Sequence, residues 1–331
     1  MYDNRFKAAE FMQRNFSIDI VKALAALLVI CIHTGYPSVA GDYVVAFCRI
    51  AVPLFLLISG YYYQNVIDKK KIKVYCKKIL GLTFFSSIFY FIVSDKKLDY
   101  LITFRWDKML IFNFPIAGDH LWYLFSLINV LVILSICYKI RDKLFYLIPF
   151  LLIGNYILSF FPKFWLYRNF LFTSLPYFLL GMYIYNYNKS IFALFKKKTL
   201  VYIFVIGLIL QCLEVSLYKY WGLIYVRDHY LLTSLLSIMI FCYALVVKVQ
   251  KENVLSVIGK KYSAYIYILH IFILSYYHQM KNFLGNNDNY ISYVKPLIIF
   301  ILALLVSFII LQAHNLSKRC YISIKKLYVS A

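Results

Sequence analysis

Asp19, Lys22 and His33 stand in the apolar run SIDIVKALAALLVICIHTG, where a helix that only packs has no use for a carboxylate, an ammonium and an imidazole. At about 100° per residue, Lys22 and His33 lie about 20° apart around a helix and Asp19 about 40° from His33, so all three share one face. Imidazole takes a proton near neutral pH, lysine attracts anions, and an aspartate one turn away can hold the lysine. Ionisable groups in a bilayer are costly and mark a pathway or a reaction site. Arg49, in FCRIAVPLFLLISGYYY, cannot shed its proton. It either lines a cavity or pairs with Asp19 or Glu214 to lock helices together. His120, before LWYL, reads as a functional group or as an interfacial histidine beside Trp122 and Tyr123. His270, within SAYIYILHIFIL, reads as functional or as a hydrogen bond between helices. Gln211 and Glu214, three residues apart, offer an anion or acceptor site.

The elements that must carry these groups are membrane spans. Of the 331 residues 63% are hydrophobic, 20% aromatic and only 15% charged, too little polar surface for a soluble domain. Ten apolar stretches approach the length of a span, at roughly 17–35, 43–63, 78–94, 120–139, 144–161, 168–187, 199–217, 230–249, 262–279 and 294–316. The expected fold is all-α, a polytopic bundle of ten transmembrane helices. Residues 1–331 form one membrane-embedded domain, with 1–16 and 317–331 as terminal segments. Most of the 36 lysines and arginines fall on the side that holds both ends of the chain, so both termini are expected in the cytoplasm.

The net charge of +22 is spread over short loops and forms no separate basic domain. It therefore points to topology and anionic lipid headgroups, not to nucleic acid. The seven cysteines are scattered without a CxxC pair and read as small packing residues, implying neither a metal site nor a disulfide framework. The first 16 residues are polar and basic, and no cleavable signal peptide is expected. No phosphate loop, GxSxG elbow or HExxH occurs, and no soluble catalytic domain is expected after the tenth stretch.

Read in order, these residues resemble the acyltransferase 3 family of integral membrane O-acyltransferases. The closer likeness is to its ten-span surface-polysaccharide branch, of the type that O-acetylates enterobacterial common antigen. The likeness rests on Ile-Asp-x-x-Lys-x-x-Ala running to His33, Arg49 followed by VPLFLLISGYYY, HLWYL at His120, LPYFLLGM at Leu175 to Met182, and SAYIYILH at His270. The ordered set with its spacings carries it, since single pieces are ordinary membrane sequence. In the family, a basic residue and a histidine separated by ten residues in the first span are functionally important, and the histidine is the leading catalytic candidate. Here they fall on Lys22 and His33. The usual basic residue is arginine, so Lys22 keeps the charge and loses the bidentate fork. An Arg-x-x-Arg pair common after the second span is replaced by the lysine run KKKIKVYCKK, and nothing corresponds to the hydrolase-like domain of some members.

The resemblance implies transfer of an acyl group, most often acetyl from acetyl-CoA, to a hydroxyl of a cell-surface or lipid-linked glycan, in the bacterial cytoplasmic membrane. The acyl-CoA is a donor substrate; no permanently bound cofactor is expected. Lys73, Lys77 and Lys78, with Lys22, would attract the coenzyme A phosphates. The 11 residues from Lys22 to His33 rise about 16 Å, the reach of an extended pantetheine arm. His33 would act as general base or carry the acyl group, Arg49 would stabilise the oxyanion, and Asp19 would hold Lys22. His120, Glu214 and His270 are candidates for the acceptor side. The competing expectation is a transporter or flippase for a lipid-linked sugar; neither an internal repeat nor paired Gly/Pro-broken helices favour it.

Overall fold

The computed structural model describes residues 15–94, 96, 99–161, 163–187, 196–223, 227–284 and 291–329. The basic segment before Asn15, read from the sequence as cytoplasmic, lies outside the described residues, as does Lys189, one of the basic residues counted on that same side. Within them the chain is helical, with no β-strand. The helices used below are α1 (Phe16–Thr34), α2 (Val39–Cys48), α3 (Ala51–Asp68), α4 (Ile72–Val93), α5 (Trp122–Ile136), α6 (Ile148–Leu158), α7 (Leu175–Asn186), α8 (Lys197–Tyr220), α9 (Thr233–Val246), α10 (Val254–Lys261), α11 (Ser263–Leu284) and α12 (Ile291–Val329).

Among the described residues six helices are long and apolar enough to cross a membrane, and α10 with α11 makes a seventh if the pair, bent by 77°, is one span. This is a multi-pass membrane protein. The apolar stretches at 144–161, 168–187 and 230–249 hold shorter α-helices, of 11, 12 and 14 residues, below the about 20 needed to span alone. Proline accounts for two of them. Pro149 and Pro176 sit in the first turns of α6 and α7, where a missing N–H is tolerated. The chain before α6 is a 3-10 segment, Arg141–Leu147, and the chain before α7 a π turn, Phe170–Ser174.

The first helix is the central one, in contact with α2, α3, α9, α10, α11 and α12. Its start is fixed by Asn15, whose side chain caps the Ser17 amide at 2.9 Å, and by Ser17, which accepts from the Val249 amide at 3.0 Å. Its end is Gly35, at φ 65° and ψ 175°, which gives the chain a turn that other residues rarely adopt. Glycine also sets the helix spacing. A Cβ on Gly60 of α3 would meet the Phe178 carbonyl of α7, one on Gly181 of α7 would meet the Leu57 carbonyl of α3, and one on Gly259 of α10 would meet the Asp19 carbonyl of α1. At these three points helices rest backbone on backbone, the close approach that small residues allow in membranes.

Candidate active site

The polar face of α1 points into the bundle at its first turn. Asp19 is buried, at 1% exposure, and Lys22 Nζ lies 3.2 Å from its Oδ1 and 4.9 Å from the centre of the Tyr62 ring of α3. Gly259 brings α10 onto this same turn. Lys73, Lys77 and Lys78 are exposed on the first two turns of α4, on a different helix from Lys22.

At the other end of α1, His33 is exposed and stands against His270 of α11, ring centres 5.1 Å apart. His270 in turn contacts His120, at 5.2 Å. Three histidines distant in sequence thus form one row. His120 sits in the 3-10 turn Asp119–Leu121 that opens α5, and α11 holds it twice: its Nε2 is 3.1 Å from Ile268 O, and its own carbonyl accepts from the Tyr267 hydroxyl. Tyr90 of α4 lies edge-on to the His120 ring at 4.7 Å. The Tyr90 hydroxyl donates to Ile268 O at 2.6 Å and accepts from the Phe272 amide at 3.2 Å. It bridges the backbone of the turn that carries His270, a side-chain insertion of the kind that bends helices.

Arg49 lies at the break between α2 and α3 and pairs with neither Asp19 nor Glu214. Its Nη1 is 2.7 Å from Asp228 Oδ1, while Arg168 Nη2 is 2.5 Å from Asp228 Oδ2. Burial works to raise the Asp228 carboxyl, but the two guanidiniums hold it below the usual carboxylate range. The helix that ends at Arg49, α2, and the helix that carries His270, α11, both pack on α1. The Arg49 Nε is buried without a partner among the described residues. Glu214 of α8 accepts from the Tyr218 hydroxyl at 2.8 Å and the Leu231 amide at 3.0 Å, and Arg227 stacks between Phe160 and Tyr218 at 3.9 and 4.0 Å. Glu214 and Arg227 thereby shape the loop that presents Asp228.

The family model of the acyltransferase 3 family, an acyltransferase domain, matches residues 15–312. The chain belongs to that family. No curated protein and no solved structure matches it. As an acyltransferase 3 member it is a membrane acyltransferase, and the match spans both ends of the α1 polar face, the histidine row and the arginine clamp. Sequence reading missed Asp228, Arg168 as its second partner, and the tyrosines Tyr90 and Tyr267. The signal for Asp228 was present: only 14 residues are Asp or Glu, and one stands inside Arg227-Asp228-His229 at the edge of an apolar stretch. Nothing local marks two tyrosines among 33. An open apolar cleft of about 190 Å³, lined by Val21, Leu24, Leu28 and Phe47 among others, lies on the opposite side of α1 and away from these groups.

Proposed function

We propose that this acyltransferase moves an acyl group, most simply acetyl, from cytoplasmic acyl-CoA to a hydroxyl of a cell-surface or lipid-linked glycan. It works in the bacterial cytoplasmic membrane, with ten spans and both termini inside. The observation that carries this reading is the α1 polar face: Lys22, held by Asp19, at one end, and His33, accessible and backed by His270, at the other.

The coenzyme A phosphates gather at Lys22, with Lys73, Lys77 and Lys78 drawing the polyanion to that side. The arm lies along α1 and its about 16 Å of rise brings the thioester to His33. His33 takes the proton of the acceptor hydroxyl, or attacks the thioester first and passes the acyl group on. Arg49, with Nε still free to donate, faces the charge that develops on the acyl oxygen. His120 and the loop held by Glu214 border the acceptor side.

The test is thiol release. Membranes containing the protein, given acetyl-CoA and surface glycan, should release free coenzyme A and yield ester-modified glycan by mass spectrometry. Glycan that leaves the experiment unacylated, with no thiol released, would remove the reading and favour transport of the lipid-linked sugar. Denaturing acid-free quench with labelled acetyl-CoA separates the two His33 roles, since only the relay leaves label on the protein.

A further inference from the structure

Two imidazole nitrogens of this histidine row are buried and without a hydrogen-bond partner among the described residues. His270 is at 0% exposure and His120 at 5%. A main-chain carbonyl fixes each ring: His270 Nδ1 is 2.6 Å from Tyr267 O, and His120 Nε2 is 3.1 Å from Ile268 O. A carbonyl only accepts, so these nitrogens carry the hydrogen, and in the neutral ring the other nitrogen is a bare acceptor. The bare ones, His270 Nε2 and His120 Nδ1, have no hydrogen-bond partner among the described residues. Burying an acceptor without a donor is costly, and such a group signals a partner that arrives with function. His33 is the polar ring packed against His270 from α1.

We propose that His270 is the positioning residue of His33: its bare Nε2 receives the N–H of His33 during turnover, which keeps the second His33 nitrogen bare and turned to the acceptor hydroxyl. The inference rests on the reading of His33 as the base of acyl transfer. The hydroxyl proton moves to the bare His33 nitrogen as the oxygen bonds to the acyl carbon. The carbon–sulfur bond breaks, and the leaving thiolate takes that proton from His33, so the products are an ester and a free thiol. The hydrogen between His33 and His270 is shared throughout, and His270 neither gains nor loses a proton over the cycle. The ring centres at 5.1 Å are close enough for a small rotation of the accessible His33 to make this bond, as catalytic hydrogen bonds often tighten only with substrate bound.

Three substitutions separate positioning from packing. His270→Gln keeps an acceptor at the far end of the side chain, His270→Asn keeps the inner donor for Tyr267 O but falls short of His33, and His270→Phe keeps only the volume. In full-length protein in proteoliposomes, with acetyl-CoA as donor and extracted surface glycan as acceptor, the Asn and Phe variants should lose roughly 10²-fold in kcat. Their KM for acetyl-CoA should stay within about twofold of the parent value, because the donor is held at the other end of α1. The Gln variant should recover at least about a tenth of the parent kcat. A Phe variant with parental kcat, or a Gln variant no better than Asn, overturns the positioning role. A parent protein that releases no thiol overturns the acyl-transfer reading instead.

Discussion

His33 is the accessible member of a row whose other two histidines are sealed inside the bundle. His33→Ala should therefore abolish thiol release while leaving expression and membrane insertion intact, because the residue is exposed and contributes little to packing; near-normal turnover would remove it from the mechanism. Arg49 answers two roles at once, an ion pair with Asp228 and a free Nε. Arg49→Lys keeps the charge and loses the fork, so activity should fall about tenfold or more if the guanidinium holds an oxyanion. An active lysine variant would assign Arg49 to charge pairing alone. Asp228 belongs to stability. Asp228→Asn leaves two guanidiniums facing each other, and melting in detergent should show a loss on the order of 2 kcal/mol at neutral pH. The folded carboxyl sits below its ordinary range, so its contribution is whole above the unfolded pKa of about 4 and is lost as pH falls through the lowered folded value. That acid sensitivity should diminish in the Asn variant. At this scale the sequence was partly legible. Helical spacing put Lys22, Asp19 and His33 on one face because the period of a helix is fixed. It could not name the partner of Arg49, which comes from a loop about 180 residues away in the chain, because no local period links the two.

Among the elements, α1 does most of the positioning, and its two ends are read by different experiments. Lys22→Ala should raise the KM for acyl-CoA more than that for the glycan, since a phosphate contact at one end leaves groups about 16 Å away in place. Lys22→Arg should retain most activity. A raised acceptor KM with the acyl-CoA KM unchanged would reverse the direction of the site. The glycine seats decide whether α1 stands where it does. Gly259→Val has no space beside the Asp19 carbonyl, and such overpacking costs about 1–3 kcal/mol. Folded yield by size exclusion should fall, with the surviving protein weakened toward acyl-CoA because the Asp19 turn has shifted. The apolar periodicity located the helices but not these seats, since a glycine in an apolar run looks the same whether it faces lipid or another backbone. Nor did it show that α6 and α7 begin at prolines, after a 3-10 segment and a π turn, inside apolar stretches long enough for a span.

For the whole molecule, topology decides which compartment meets which end of the site. Cysteine placed at Asp107 should react with an impermeant reagent on intact cells, and cysteine at Lys70 only after permeabilisation; the opposite pattern would invert the molecule. Class was legible from composition because too few charges exist to cover a soluble body, whereas the row of histidines needed three separate helical regions brought together. The backbone contacts at Gly60, Gly181 and Gly259 bear on how such a bundle can work. They seat α3 on α7 and α10 on α1 at backbone contact, a close packing that works against large rearrangement of these helices. On the proposed function the frame stands still and only the acyl group travels. Chemistry is then vectorial without rocking: the bilayer is crossed by a thioester arm a few ångströms wide, and the ion gradients on either side need never see an open path.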